Sequence, residues 1–168
     1  MTPESQLQQE LGQRRPFSST SQEALIGVLR TADQLKRHLE LVMAGHEITL
    51  QQFNVLRILR GAGPDGLPTL TIGTRMIERA PGVTRLLDRL EARGLVQRSR
   101  STADRRQVVC TLSKLGTKVL AALDAPVLAA DGNAMRALSP DEQAELVHLL
   151  DRVRADLAQR EQDADALR

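Results

Sequence analysis

The chain has 168 residues, 41% of them apolar, and a formal net charge of +2. This length suits one domain, or a small domain with extensions, and the core must be aliphatic because Phe17 and Phe53 are the only aromatic residues. The sequence has no run of eighteen apolar residues and no charged-then-apolar leader, so we expect neither a membrane span nor export. The single cysteine, Cys110, excludes an internal disulfide and fits a reducing cytoplasm.

Residues 1–19 are polar and rich in glutamine, which predicts a flexible N-terminal tail. A capping box that starts at Thr20 then predicts the beginning of a helix, because the threonine hydroxyl accepts a hydrogen bond from a free amide of the first turn. From Leu25 and Val28 onwards the apolar residues are spaced by three and four, so we predict a helix over 20–45. Its narrow apolar stripe requires a partner helix, from the same chain or from a second copy.

A second capping box, at Thr49, begins the next predicted helix, which ends in the glycine- and proline-rich turn after position 60. Residues 67–68 are predicted as a short edge strand, since proline cannot donate a hydrogen bond to a central strand ladder. The segment 69–79 is predicted as a supporting helix. Its predicted inward face consists of Ile72, Met76 and Ile77.

The stretch 83–96, VTRLLDRLEARGLV, has a clear helical pattern. Its apolar residues lie on one face of a helix with 3.6 residues per turn, and they include Val83, Leu87 and Leu90. Arginines recur every fourth residue on the opposite face, at Arg85, Arg89 and Arg93. Gly94 then ends the helix. A short helix followed by a second helix with a basic outer face predicts a helix-turn-helix.

Two paired strands are predicted after this helix, over 95–99 and 107–112, with a charged loop between them. A helix-turn-helix followed by such a hairpin is a winged helix, so the predicted fold class is mostly α (α+β), with further helices on both sides of the winged domain. Between Arg75 and Arg106 nine arginines and four acidic residues give a net charge of +5, whereas the whole chain carries +2. This concentration of positive charge indicates contact with phosphate groups.

Two more helices are predicted at the C-terminal end, over 114–135 and from Ser139 onwards, where a capping box and a proline begin the last helix. The inward face of the first of them is predicted to consist of Leu115, Val119, Leu123 and Val127. The apolar stripe of the second consists of Leu146, Leu149 or Leu150, Val153 and Leu157. A small winged domain cannot bury all of these stripes, so we predict a homodimer held by helices 20–45 and 114–165, with the winged domain over 46–113.

The stretch VTRLLDRLEARGLV, the pair Asp104 and Arg106, and the junction LSKLG at 112–116 together resemble the MarR (multiple antibiotic resistance regulator) family of winged-helix transcription factors. The resemblance covers about residues 49–116. It implies a homodimeric regulator of transcription that binds double-stranded DNA at a near-palindromic operator. We expect a repressor. The alternative is a winged-helix protein-interaction module without DNA binding. It predicts either missing wing arginines or an acidic outer face on the recognition helix, and the sequence has neither.

The residues expected to meet base edges are those at the beginning of the recognition helix, namely Gly82, Val83, Thr84 and Arg85. Arg85 is the candidate for guanine, since a two-pronged guanidinium contact discriminates by about 1–3 kcal/mol. Arg89 is expected to hold a phosphate group, and Thr69 and Thr71 to contact the DNA backbone.

At the wing, Arg105 and Arg106 are expected to enter the adjacent minor groove, where narrow A·T-rich segments attract guanidinium groups. Asp104 is expected to hold one of these arginines, because a carboxylate does not face phosphate favourably. The alternative for all of these arginines is an ordinary solvated surface.

Members of this family commonly release DNA when a small, often aromatic or phenolic, anion occupies a crevice between the dimerisation helices and the winged lobe. The resemblance implies a similar effector crevice here, near Met43, His46 and Phe53. The alternative is that these three side chains pack together at a helix junction.

The sequence contains no pattern that predicts catalysis or metal binding. Its three histidines have no ligand spacing, and it has no Ser/His/Asp or Cys/His set and no glycine-rich phosphate loop. Cys110 allows a redox switch or a buried thiol, and its place between apolar strand residues favours the buried thiol. We therefore expect no metal, no cofactor and no enzymatic activity, since an enzyme needs a convergent polar site.

Overall fold

The computed structural model describes residues 5–78, 82–100 and 107–166. Within these residues the predicted fold class is confirmed, because the chain is mostly helical and has one small antiparallel sheet. In chain order the elements are α1 (Gln6–Glu10), α2 (Thr20–Ala44), α3 (Leu50–Ala62), β1 (Leu67–Pro68), α4 (Thr69–Arg75), α5 (Val83–Ala92), β2 (Val96–Arg100), β3 (Val108–Leu112), α6 (Lys114–Met135) and α7 (Pro140–Ala166). The strand order is β1-β3-β2, and β2 pairs with β3 from Val96↔Leu112 to Arg100↔Val108.

The chain divides into two compact units, residues 1–130 and 131–168. The first unit contains the sheet, α1 to α5 and most of α6, and the second contains the end of α6 and α7. The predicted domain boundary after residue 113 does not coincide with this division, because Leu120 and Leu123 of α6 are buried in the core of the first unit. In the second unit, none of the described residues of α7 is buried.

The core of the first unit is largely aliphatic and lies between the end of α2, α3, α4, α5, the sheet and α6. Its fully buried side chains are Met43, Val55, Leu56, Leu59, Ile72, Leu87, Leu90, Val96, Cys110, Leu120 and Leu123. Burial of one leucine side chain contributes about 1.5–3 kcal/mol. Two buried leucines per helix face are therefore enough to hold α5 on the core while its outer face carries polar residues.

Two predicted capping boxes are confirmed. At the start of α3 the amide of Gln52 donates to Thr49 Oγ1 at 3.2 Å, and the amide of Thr49 donates to Gln52 Oε1 at 3.0 Å. At the start of α7 the amide of Ser139 donates to Glu142 Oε2 at 2.7 Å, and the amide of Glu142 donates to the Ser139 hydroxyl at 3.3 Å. These are short-range interactions, which is why the sequence alone locates them.

The N-terminal segment differs from its prediction. Residues 6–10 form α1, which is capped by the Ser5 hydroxyl. A Cβ built on Gly27 would lie 3.6 Å from Leu7 Cδ2, so this segment packs on α2. Ser19, not Thr20, caps α2, with its hydroxyl accepting from Gln22 N at 3.1 Å. A five-residue helix depends on such tertiary contact, which a local pattern does not reveal.

The supporting helix α4 is shorter than predicted, because it ends at Arg75 and Met76 has an extended backbone with ψ 144°. The amide of Ile77 donates to Asn54 Oδ1 of α3 at 3.0 Å instead of continuing the helix. Ile77 was predicted to face inward but is 80% exposed. Arg79 lies outside the described residues.

The predicted buried face of α6 is confirmed at Leu123 and Val127, with Val119 packed against the core, and is wrong only at its first residue, Leu115. Leu115 is 50% exposed, and Gly116 takes the inward position instead. A Cβ built on Gly116 would lie 2.2 Å from the carbonyl oxygen of Leu95, so only glycine allows this approach.

The observed strands begin and end within one residue of the predicted bounds.

Candidate nucleic-acid interface

The recognition helix α5 separates an apolar from a polar face as predicted. Leu87 and Leu90 are fully buried, whereas Thr84, Arg85 and Arg89 are exposed. No other described residue forms a hydrogen bond or an ion pair with the guanidinium groups of Arg85 and Arg89. Both cations are therefore open to an external anion.

Gly82 precedes α5 and has the left-handed backbone conformation, with φ 97° and ψ 30°. Its carbonyl accepts the first hydrogen bond of the helix, from the amide of Leu86 at 3.1 Å. Glycine adopts this conformation without the strain that a Cβ would introduce. A Cβ built here would meet no atom within 4 Å, so the backbone at the start of α5 is open to close approach.

A groove on one side of α5 brings together three hydroxyl residues that the sequence predicted to contact DNA. Thr84 of α5 lines it together with Thr69 and Thr71 of α4. The remaining lining residues are Pro68, Leu70, Arg98, Gln107 and Val108. The groove therefore extends from the supporting helix, along one side of the first turn of the recognition helix, to the base of the wing.

A second groove lies on the other side of α5. Gly82, Arg85 and Arg89 line it together with Leu86 and with Gln51 of α3. The predicted base-contact and phosphate-contact residues are thus divided, with hydroxyl groups towards the wing and guanidinium groups towards α3. The helix between them is a ridge with hydrogen-bonding groups on both flanks.

Arg98 of β2 contacts the recognition helix, although the sequence pattern does not single it out. Its Nη1 donates to Asp88 Oδ1 at 2.6 Å, and its Nη2 donates to the carbonyl of Thr84 at 3.1 Å. Its Nε lies 3.6 Å from Glu91 Oε2. Burial acts to lower the pKa of Arg98, but the hydrogen bond and charge of Asp88 and the charge of Glu91 outweigh it and raise that pKa.

Arg98 neutralises the acidic residues of α5. Asp88 and Glu91 are the two carboxylates on this helix, and both face Arg98 rather than standing unpaired beside Arg85 and Arg89. The alternation of side chains along a strand indicates this orientation. Arg98 lies two residues after buried Val96, so both side chains point to the inner side of β2.

Arg93 does not share the open face of Arg85 and Arg89. Its Nη1 donates to the carbonyl of Glu47, in the connection between α2 and α3. At the wing, Asp104, Arg105 and Arg106 lie outside the described residues, so their predicted contacts remain predictions.

Cys110 is a buried thiol, as the strand pattern favoured. Its side chain is fully buried, with Sγ 3.9 Å from the hydroxyl of Thr69. Burial raises the pKa of the Cys110 thiol above its ordinary value. A protonated and enclosed sulfur is a poor nucleophile.

The predicted effector residues are used mainly in packing. Met43 and Phe53 are 1% and 5% exposed and belong to the hydrophobic core, and His46 is half-buried. A cavity of about 280 Å³ lies nearby but is lined by other residues. They are Lys36, Glu40, Thr49, Leu50, Gln51, Gln52, Asn54, Met76, Ile77, Glu78, Leu86 and Arg89.

An ion pair crosses this cavity wall. Lys36 Nζ of α2 donates to the two carboxylate oxygens of Glu78 at 2.9 and 3.1 Å. The hydrogen bond between them raises the pKa of Lys36 and lowers that of Glu78. Glu78 belongs to the segment that follows α4, so the pair ties this segment to α2.

The predicted dimerisation residues are mostly exposed. Leu25 and Val28 of α2 are 61% and 50% exposed. In the second unit, Leu149, Val153 and Leu157 of α7 are 44%, 58% and 56% exposed, and Leu146 is half-buried. Each unit therefore presents an apolar stripe to solvent.

No helix in the described ranges is long and apolar enough to cross a membrane.

Comparison with known proteins identifies the family of this chain. Residues 48–108 match the model of the MarR family. The HTH-type transcriptional regulator TtmR of Methylorubrum extorquens (strain PA1) is 31% identical over 155 residues, which cover 92% of this chain and 77% of TtmR.

Solved structures agree with this relationship. A MarR transcription factor from Planctomyces limnophilus is 40% identical, with a TM-score of 0.62 over 81% of this chain and 98% of that chain. A cysteine-to-serine variant of MarR from E. coli, solved in complex with operator DNA, is 25% identical, with a TM-score of 0.69 over 89% of this chain and 99% of that chain. The chain therefore belongs to the MarR family and is a winged helix-turn-helix transcriptional regulator.

Proposed function

We propose that this protein is a homodimeric repressor that binds a near-palindromic operator in double-stranded DNA and releases it when a small anion binds. The observation that carries the proposal is the charge arrangement on α5. Arg98 pairs with Asp88 and Glu91, while Arg85 and Arg89 face outward without a partner among the described residues. A helix with this outer face attracts the phosphate groups of a duplex. The proposed location is the cytoplasm, and the proposed role is not enzymatic.

The proposed DNA contacts follow from the two grooves beside α5. Arg85 and Thr84, in the first turn of α5, are assigned to base edges in the major groove, together with Gly82 and Val83. Arg89, one turn further along, is assigned to a phosphate group. The hydroxyl groups of Thr69 and Thr71 are assigned to the DNA backbone, and Arg105 and Arg106, held by Asp104, to the minor groove beside the wing.

The homodimer is proposed because exposed apolar stripes need a partner. The stripe of α2 contains Leu25 and Val28, and that of α7 contains Leu149, Val153 and Leu157. Covering them in a second copy removes leucine and valine side chains from water, at about 25 cal/mol per Å² of apolar surface. In such a dimer two recognition helices enter successive major grooves about 34–36 Å apart, so the operator has two related half-sites. In this proposal residues 46–113 bind DNA, and helices 20–45 and 114–165 dimerise.

The effector is assigned to the cavity that Lys36 and Arg89 line, rather than to Met43, His46 and Phe53. The cavity combines apolar walls from Met76 and Leu86 with these two cations and with two carboxylates, Glu40 and Glu78. Lys36 pairs with Glu78, whereas Arg89 has no partner among the described residues, so this cation can attract an anion with an apolar body. Arg89 is also the proposed phosphate contact. An anion that engages Arg89 and displaces Glu78 from Lys36 competes with DNA for one charge and loosens the segment that leads into α5.

The DNA proposal predicts distinct effects for Arg85→Ala and Arg89→Ala. The test selects duplexes from a random pool with the wild-type protein and measures binding over a salt series. Wild type is expected to enrich two-half-site duplexes with two protomers bound. Arg85→Ala is expected to relax preference at one base pair per half-site, and Arg89→Ala to lower the salt slope by about one per protomer without changing preference.

Arg57→Ala serves as a control, because this exposed arginine of α3 lies over the ring of Phe53, at 5.7 Å, and lines neither groove beside α5. Equal losses on all sequences for Arg85→Ala would contradict its base-reading role. If the wild-type protein binds no duplex at low salt, the proposed DNA binding is wrong, and the protein-interaction module becomes the favoured function.

The effector proposal predicts that Lys36→Met loses the response to small aromatic carboxylates. Substituted benzoates are expected to bind wild type and weaken operator binding, whereas Lys36→Met binds them about tenfold more weakly, since it lacks one charge-assisted hydrogen bond. Calorimetry with a benzoate panel measures this. Arg37→Met is the matched control on the same helix, because Arg37 pairs with Asp33 and does not line the cavity. An unchanged benzoate affinity in Lys36→Met would contradict the assignment.

A further inference from the structure

Leu70 is the most exposed of the large hydrophobic residues in the described ranges, at 85%. It lies in the first turn of α4, two residues before fully buried Ile72. Two residues along a helix correspond to a rotation of about 200°, so Leu70 points away from the core that holds Ile72. Packing within the first unit therefore does not explain a leucine here.

The surroundings of Leu70 identify what covers it. It lines the groove beside α5 together with the hydroxyl residues Thr69, Thr71 and Thr84, and with Arg98. Leu70, Pro68 and Val108 are the apolar residues of this lining, and they stand among hydroxyl groups and a guanidinium. Such a small apolar group falls short of the contiguous patches, a few hundred Å² in area, that mark protein docking sites. It also differs from the stripes on α2 and α7, where several apolar residues follow one another at helical spacing.

A duplex offers the matching mixture of groups. Phosphate oxygens accept hydrogen bonds from hydroxyl groups, and beside them lie the apolar faces of deoxyribose and the 5-methyl group of thymine. Val108, 42% exposed at the start of β3, and Pro68 add further apolar side chains to the same groove. The groove is continuous with the first turn of the recognition helix through Thr84.

We infer that Leu70 makes an apolar contact with the bound operator, at the edge of the groove that the recognition helix enters. The contact takes a thymine methyl group or a deoxyribose face, which share the same chemistry. It adds affinity without neutralising a phosphate, so it differs from the arginine contacts in its salt dependence. The inference rests on the proposed DNA binding and adds a residue to it.

The test measures operator affinity for Leu70→Ala over a salt series. The expected result is a loss of about tenfold with an unchanged salt slope, because burial of a leucine contributes without counterion release. Leu41→Ala is the matched control, since Leu41 is a similarly exposed helical leucine, at 77%, outside the groove. Sixteen residues separate it from Leu25 on α2, a rotation of about 160° around the helix, so it lies off the apolar stripe of Leu25 and Val28 that is proposed to dimerise. Leu70→Met keeps an apolar side chain of similar volume and is expected to retain affinity.

Operators with single thymine-to-uracil replacements distinguish the two sources of the contact. If one replacement weakens wild type but not Leu70→Ala, the partner is a thymine methyl group. If no replacement does so while Leu70→Ala still loses affinity, the partner is deoxyribose, and both outcomes support the inference.

An affinity of Leu70→Ala equal to that of Leu41→Ala would overturn the inference while leaving the proposed function intact. A lower unfolding midpoint of Leu70→Ala in urea would also overturn it, since Leu70 would then stabilise the fold. If wild type and Leu41→Ala bind no duplex, the proposed function fails together with this contact.

Discussion

Replacement of Arg98 by methionine is expected to weaken operator binding by at least about tenfold. The change removes hydrogen bonds to Asp88 and to the carbonyl of Thr84, each at 3.1 Å or less, and leaves the acidic groups of α5 unpaired beside the duplex. Hydrogen bonds to charged groups contribute about 1.5–3 kcal/mol, and about 1.4 kcal/mol corresponds to a factor of ten. Asp88 is 54% exposed, so water solvates it after the change and the loss of folding stability is smaller than the loss of affinity.

The salt dependence of binding distinguishes positioning from direct contact. If Arg98 positions α5, Arg98→Met lowers affinity with the salt slope of the wild type, because no phosphate contact is lost. A slope reduced by about one per protomer would instead make Arg98 a phosphate contact. Asp88→Asn is the partner variant, and the double variant should lose less than the two single losses combined. Strict additivity would contradict the coupling.

Replacement of Gly116 by alanine is expected to lower the free energy of unfolding by about 3 kcal/mol or more. A Cβ at this position would lie 2.2 Å from the carbonyl oxygen of Leu95 and 2.8 Å from Leu112 Cδ1. That oxygen already accepts a hydrogen bond from the amide of Ser113, at 3.1 Å, so its position is fixed. Alanine gains about 1 kcal/mol of helix propensity over glycine, which the forced shift of α6 against β2 exceeds.

Urea unfolding of Gly116→Ala and of Gly61→Ala provides the comparison. Gly61 lies in α3, and a Cβ there meets no atom within 4 Å. The same substitution should therefore stabilise the protein at position 61 by about 0.4–1 kcal/mol. Equal unfolding midpoints for the two variants would show that α6 moves aside without cost.

The helices and their starts were largely predictable. The capping boxes at Thr49 and Ser139 involve residues three positions apart, and the buried side of α5 follows from the spacing of Leu87 and Leu90. Interactions of this range depend on local sequence, so the pattern determines them. The charged outer face of α5 is predictable for the same reason.

The site was only partly predictable. Arg98 was counted with the arginines of a DNA surface, but its side chain turns inward to Asp88, ten residues away. Arg93 is engaged by the carbonyl of Glu47, and Lys36 by Glu78, across still longer separations. Spacing rules describe one helix or one strand at a time. They do not show which charged residue of another helix or strand lies close enough to pair with a given side chain.

The winged helix-turn-helix fold and the basic face of the recognition helix were predictable from short-range periodicity, and the MarR family from the resemblance of its motifs. Contacts between distant elements determine which arginines have no partner among the described residues, where the cavity lies and why α4 ends at Arg75. In each of these cases groups from distant elements compete for one partner. The side chain of Asn54 accepts a hydrogen bond from the amide of Ile77, and Asp88 accepts one from Arg98. Met43 and Phe53 are buried in the hydrophobic core.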